Sequence, residues 1–403
     1  ATTAAIPTAD LAITISGGDP AAATPGTLNF AGATQGVSVN LGTHEWAHAL
    51  QILPLGDSIT YGWTATDYQQ GQTNLENGYR GPLWWDFASG SMLVDFVGPN
   101  VSGDSSLADQ NHAGYPNFRS DQVAAQLPAI LAANHPDAIM LMVGTNDVFQ
   151  EAAPAAHVAA SITGILAAAA AASPATHVYV ATMMPINQAQ DGQPGDAAMV
   201  ATVNTAIRNA VTQASAAGAN VSLVDLSAMT VSDLQDAAHP TTAGYAKLAQ
   251  IWHDAILAQQ PESGGTPGGT AHAIAANVTA VIGTEANDLL IGNSQNDTLS
   301  GGGGNDRLVA TGGRDTLSGG TGADQFVFSP SSGQATITDF SATQGDHLEL
   351  DGFSGLTQFS QLAGHITRTA DMVSVDLSAF GAATTISLTN FSGNLVAGNV
   401  WFG

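Results

Sequence analysis

GTEANDLLI, GNSQNDTLS, GGGGNDRLV, ATGGRDTLS and GGTGADQFV follow one another without a break from Gly283 to Val327. Stacked in nines, they put Asp at every sixth position (Asp288, Asp297, Asp306, Asp315, Asp324). An apolar residue falls two further on (Leu290, Leu299, Leu308, Leu317, Phe326). This is the G-G-x-G-x-D-x-U-x period of a parallel β-roll. Its glycines let the backbone turn tightly with carbonyls inward, and each Asp supplies the hard oxygen that Ca²⁺ takes. The apolar residue heads a short strand whose side chain fills the roll. A flexible Gly/Asn linker would not hold one carboxylate and one hydrophobe in phase. The candidate calcium ligands are the five Asp side chains and the carbonyls of turn residues Gly283, Gly292, Gly301, Gly303, Asn305 and Gly319.

The chain is 403 residues long and 44% hydrophobic, enough for two or three domains with real cores. Seven Lys+Arg against 33 Asp+Glu give a formal net charge of −26. Such a chain repels nucleic acid and anionic membrane and attracts cations. With no cysteine, it has neither disulfides nor a thiol nucleophile. No apolar run reads as a membrane span, and ATTAAIPTADLAITISGG at the start lacks a basic, cleavable leader pattern. A monomer is expected.

Four segments are expected. Residues 1–48 are Ala/Thr/Gly-rich with short alternating runs (LAITI, GVSVNL) and read as a β-rich extension. Residues 49–260 alternate buried strands (QILPL, MLVDFV, AIMLMV, HVYVAT, VSLVDL) with Ala-rich helices near 81–89, 120–134, 154–172, 196–217 and 241–259. That pattern predicts an α/β three-layer domain, a parallel sheet covered on both faces. PESGGTPGGT makes 261–272 a linker, and 273–403 is all-β, the roll followed by further strands.

Chemistry gathers in the α/β segment. The first strand runs into LPLGDSIT, placing Ser58 just past a strand's carboxyl end, where open α/β sheets hold their ligands. The third strand ends in VGTND and offers the amide of Asn146 to the same crevice. In DAAHPTTAGYAKLA, Asp236 precedes His239 by three residues, close enough to hold its imidazole in the tautomer a general base needs.

The order GDSIT, GTND, DxxHP resembles the SGNH (GDSL) hydrolases over roughly residues 50–258. NGYRGPL, VDFVGP and HAGYPNFRSDQ resemble the carbohydrate esterase branch that contains acetylxylan esterases. The resemblance implies a flavodoxin-like sheet and a secreted serine esterase with Ser58 as nucleophile, His239 as base and Asp236 as orienting acid. Its second block reads roughly HxGYxGxR. Here Gly114 is kept, but Asn117 stands where the family's oxyanion glycine would be. Asn tolerates a left-handed backbone better than other side chains, so its N–H is expected to serve. The nonapeptides resemble RTX (hemolysin-type) repeats, and LNFAGATQGVSVNL (28–41) resembles strands that accompany such repeats. The repeats imply structural Ca²⁺ and export by a type I secretion apparatus to the extracellular space. The expected substrate is a small acyl ester, an acetyl group on polysaccharide. Rival readings are a lipase or lysophospholipase with the same triad, and a non-catalytic calcium-dependent adhesin.

HEWAH (44–48) fits the zinc-protease pattern H-E-x-x-H, which needs a helix to bring both His together. Strand-like text flanks it and no third ligand follows, so a short connecting helix is expected, with no zinc at His44 and His48. Trp84 and Trp85 read as packing residues. Tyr61 and Trp63 read as substrate contacts, and Arg80 and His112 as either polar wall or structural anchors.

Overall fold

Strands buried on both faces must be apolar throughout, and the computed structural model puts such segments at the centre of the first half. It describes residues 14–16, 26–31, 36–42, 45–63, 77–89, 92–103, 107, 109–151, 153–191, 196–259, 272–273 and 278–403. The 261–270 stretch read as a linker lies outside them, as does His44. Two units separate: residues up to Ala49 with 91–93 and 263–403, and residues 50–90 with 94–262.

In the second unit, Leu50–Gly56 lies mid-sheet with Ala138–Met142 on one side, followed by His177–Ala181 and Val221–Val224, all parallel. Its other edge is shared. Val94–Phe96 pairs with its beginning (Leu50↔Val94, Ile52↔Phe96), and Asn111–Gly114 with its end (Leu55↔Ala113, Gly56↔Gly114). Helix Pro154–Ala172 packs between Ser120–Ala133 and Asp196–Ala216, while Arg80–Ser89 packs against Thr242–Leu257. Leu53, Leu55, Ile139, Leu141, Val178 and Val180 meet Val123, Leu127, Val158, Ile162, Val203 and Ile207 in one core.

Pro154–Ala172 corrects one expectation. Its 19 residues include an 18-residue window of mean hydropathy 1.7, long and apolar enough to cross a membrane. Here Val158, Ile162, Ile165 and Ala169 fill the core instead.

The first unit is the roll. Successive strands alternate between two parallel sheets: Val278–Ile282, Thr298–Gly303, Arg314–Thr321 and Gln334–Ile337 in one, and Leu289–Ile291, Arg307–Val309, Gln325–Phe328 and His347–Leu350 in the other. Leu290, Leu299, Leu308, Leu317 and Phe326, the apolar residues of the period, are at most 1% exposed and share one core. Gly302 and Gly320 turn with φ of 117° and 104°, a region closed to ordinary side chains.

Two expectations for the first 48 residues are overturned. Gly26–Asn29 and Val37–Asn40 are not a separate extension; they pair in parallel with Val278–Ile282 and Leu289–Ile291, one in each sheet of the roll. Glu45–His48 is not a helix but a strand antiparallel to Val37–Asn40. The H-E-x-x-H spacing requires helical geometry, so this segment lacks the backbone a zinc-protease site is built on.

Asp109 is buried beneath the sheet edge, accepting the N–H groups of Phe96 and Asn111. Burial, with the charge of Asp95, pushes its carboxyl up to about 8. A raised carboxyl pKa favours the protonated folded form, so this group's contribution to stability declines as pH rises from about 4 to about 8. Urea unfolding at fixed calcium should show that slope in the wild type and a flatter one in Asp109→Asn.

Candidate active site

Ser58 opens a four-residue helix, Ser58–Tyr61, directly after the central strand. Asp57 caps it, its Oδ1 accepting the Ile59 N–H at 3.0 Å, and Gly62 closes it in the left-handed conformation at φ 94°. Asp57 is 1% exposed, and burial pushes its carboxyl up to about 6. So short a helix cannot satisfy its own terminal carbonyls. Arg80 does so from outside: Nε donates to Thr60 O at 3.3 Å and Nη2 to Tyr61 O at 3.2 Å. The same guanidinium reaches Gln110 O and Ser102 O, and it is fully buried.

His112 continues this framework. The Gly114 N–H donates to its Nδ1 at 2.9 Å, which fixes that nitrogen as an acceptor and leaves Nε2–H for Ser102 Oγ at 2.7 Å. Burial and the Arg80 charge push its pKa down to about 2, so the ring is neutral. Arg80 and His112 are therefore anchors rather than walls of a substrate cleft. Gly114, read as a catalytic residue, is also an anchor: its N–H is already committed to His112. A Cβ there would fall 2.4 Å from Tyr61 N, so the nucleophile turn needs glycine at this contact.

The loop after Val221–Val224 carries Asp236 and His239. Asp236 Oδ1 accepts the N–H groups of Ala238 (2.9 Å) and His239 (2.7 Å), folding the loop so that the carboxylate faces the ring. His239 Nδ1 lies 2.9 Å from Asp236 Oδ2, and His239 Nε2 lies 2.9 Å from Ser58 Oγ. Burial pushes the Asp236 carboxyl up, but the bond and charge of His239 and the two backbone N–H groups outweigh it and leave it below the usual carboxylate value. Trp63 packs edge-on to the His239 ring at 5.5 Å.

Asn117 adopts φ 65°, the left-handed conformation expected where a glycine was replaced. Neither its N–H nor that of Ser58 has a hydrogen-bond partner among the described residues. Asn146, on helix Thr145–Gln150 after the Ala138–Met142 strand, spends one amide N–H on Phe118 O at 3.0 Å and has the second to give. These donors and Ser58 lie at the carboxyl ends of neighbouring strands, as ester chemistry with a developing oxyanion requires.

Residues 55–247 match the GDSL-like lipase/acylhydrolase family, and 282–317 with 300–328 match RTX calcium-binding nonapeptide repeats. The chain carries a GDSL-like acylhydrolase domain over residues 55–247. A multidomain esterase of Ruminococcus flavefaciens is 29% identical over 239 residues, covering 52% of this chain and 29% of that protein. The chain thus spans under a third of that relative's length. A family 3 carbohydrate esterase of Clostridium thermocellum is 26% identical with a TM-score of 0.42, covering 51% of this chain and 94% of that one. A carbohydrate esterase of the same family from Talaromyces cellulolyticus is 26% identical with a TM-score of 0.43, covering 52% and 97%.

Sequence reasoning passed over one anchor of the GDSL domain. Asp147, fully buried, accepts the Ser120 N–H (2.9 Å) and Ser120 Oγ–H (2.7 Å), tying the loop that carries Asn117 to the helix that carries Asn146. Its neighbour Asn146 drew attention, while Asp147 in the same VGTND block was not singled out. Tyr61 turns from the expected role too, packing edge-on against His112 at 5.3 Å. Trp84 is buried against Trp85, as read.

The turns of the roll suit the ion its repeats imply. Asp288, Asp297, Asp306, Asp315 and Asp324 are at most 2% exposed, and Oδ2 of Asp306, Asp315 and Asp324 is buried without a partner. A Cβ on Gly301 or Gly319 would lie 1.9 or 2.0 Å from the next carboxylate, leaving each oxygen a cradle of bare backbone. Burial pushes the carboxyls of Asp288, Asp315 and Asp324 up to about 7, a cost that a divalent cation would offset. Among the described residues no three His, Asp or Glu side chains converge, so such an ion would take much of its coordination from turn carbonyls.

Asn146→Ala should lower kcat about 10²–10³-fold with little change in KM, since its second N–H matters to the transition state rather than to binding. Asn117→Gly should stay within a few-fold of wild type, whereas Asn117→Val, strained at φ 65°, should lose activity. Steady-state kinetics on p-nitrophenyl acetate checks all three.

Proposed function

We propose that this protein is a secreted serine esterase that removes small acyl groups, acetyl above all, from polysaccharide. The observation that carries the reading is the continuous chain Ser58 Oγ, His239 Nε2/Nδ1, Asp236 beside three N–H donors with bonds to give. Ser58 Oγ attacks the ester carbonyl while His239 takes its proton, and Asp236 holds the resulting imidazolium. The N–H groups of Ser58 and Asn117 and the amide of Asn146 receive the oxyanion. His239 then protonates the departing alcohol. Water, deprotonated by the same imidazole, releases the acid and restores Ser58.

Two features favour a sugar-borne ester over a long acyl chain. Trp63 offers a ring beside His239 on which a pyranose can lie. The sequence after it, TATDYQQGQTNLE, is polar and gives an alkyl chain little to bury against. We assign calcium to the roll, held by the five repeat Asp and the turn carbonyls, where it supplies positive charge to a buried stack of carboxylates. RTX repeats further support export through a type I apparatus and work outside the cell, where calcium is plentiful.

Chain-length dependence decides between the two substrate classes. On p-nitrophenyl esters kcat/KM should be highest for acetate and fall by about tenfold or more by octanoate, with acetate released from acetylated xylan. A rise from acetate to octanoate would move the assignment to lipid.

A further inference from the structure

We propose that residues 26–31 and 36–41 belong to the first coil of the calcium roll, and that calcium at the Asp288 turn latches this coil to the repeats. The roll has a rule. In each 18-residue coil, Asp Oδ1 accepts the N–H of the residue one coil earlier: Asp306 from Asp288, Asp315 from Asp297 and Asp324 from Asp306, each at 2.9 Å. Asp288 has no repeat before it, yet its Oδ1 accepts an N–H in the same way, from Val37 at 2.7 Å and 251 residues away. Gly36, just before, sits where a Cβ would fall 1.9 Å from Asn287 O, the close approach of a roll turn.

Packing follows the same register. Phe30 N–H bonds to Ile282 O and Leu41 N–H to Ile291 O, so the coil is joined in both sheets. Leu28, Phe30, Val37, Val39 and Leu41 are at most 1% exposed, in one core with Leu290, Leu299 and Leu308. At the Asp position of the period this coil has Val37. It gives backbone and hydrophobe but no carboxylate, which is how a terminal repeat closes a solenoid. In the opposite row of turns, Asp297 Oδ1 is buried without a partner among the described residues.

The chain then enters the catalytic segment through Glu45–His48 and returns through His272–Ala273, and these two strands pair with each other (Trp46↔His272, Glu45↔Ala273). In the Asp288 row, the carboxylates of Asp288, Asp306 and Asp324 are buried, with Oδ2 of Asp306 and Asp324 unpartnered, an arrangement that a cation would join. Because the Val37 coil docks on that row, its docking is linked to the same ion.

Hydrogen exchange on the intact chain tests this without a variant. Calcium should slow amide exchange in peptides spanning 26–41 by roughly tenfold or more, with a midpoint that coincides with that of peptides spanning 298–328. Exchange in 26–41 that ignores calcium, or a separate midpoint, would overturn the proposal. Since the chain has no cysteine, Thr27→Cys with Ala280→Cys, directly opposed in the sheet, gives a second readout. The pair should form its disulfide readily in calcium and far more slowly in EDTA, as should the control pair Thr298→Cys with Thr316→Cys. Closure of the control alone, or equal closure of the Thr27 pair in EDTA, contradicts the latch.

Discussion

The hydrogen bond from Ser58 Oγ to His239 Nε2, 2.9 Å long and closed across 181 residues, is the contact that the catalytic half is arranged to hold. Asp57 and Asp236 shape each residue's own turn, but no neighbour in sequence brings the two together. Ser58 is set by the end of a central strand and His239 by a loop that follows the sheet's last strand, so the bond exists only when the parallel order is complete. Parallel strands make this possible because all their carboxyl ends open on one edge of the sheet. Buried aliphatic packing supplies the free energy for that sheet, and polar groups then refine where its ends lie.

The refinement is costly in buried polarity. Arg80 is taken wholly out of water, and burial pushes its guanidinium down to about 10, to satisfy carbonyls that a one-turn helix leaves open. His112 is held neutral between the Gly114 N–H and Ser102. Asp147 joins the Asn117 loop to the Asn146 helix through Ser120. None of these groups belongs to the proposed triad, and each fixes a segment that carries a residue of the proposed triad or oxyanion site. Losing one leaves buried partners unsatisfied, a larger penalty than the bond's own net worth.

Much of this was legible in the sequence because it is local. Helix Pro154–Ala172, the nonapeptide phase, and the GDSIT, GTND and DxxH blocks each declare themselves within a short window. What escaped depends on distant partners. Asn111–Gly114 is too short and polar to read as a strand, and it is one because it pairs with the last residues of Leu50–Gly56. Arg80 could not be assigned as polar wall or structural anchor until its carbonyl partners were known. Residues 26–41 lack the Asp of the period, so only the likeness of LNFAGATQGVSVNL to strands that accompany RTX repeats pointed to a roll whose next strand begins at Val278. HEWAH misled for the complementary reason: its spacing is helical, but strand neighbours on both sides decide its backbone.

The two halves divide the work. The roll carries calcium-binding repeats in a chain with no disulfide, and the GDSL domain holds the Ser58–His239 contact. The claim on which the account turns is that Ser58 is activated by His239 through the contact seen here. Active-site labelling with a fluorophosphonate, read by peptide mass spectrometry, tests it directly. The account predicts one adduct, on Ser58, formed in wild type and slowed by about 10³-fold or more in His239→Ala. An adduct on another residue, or labelling of Ser58 at an unchanged rate without His239, would contradict it.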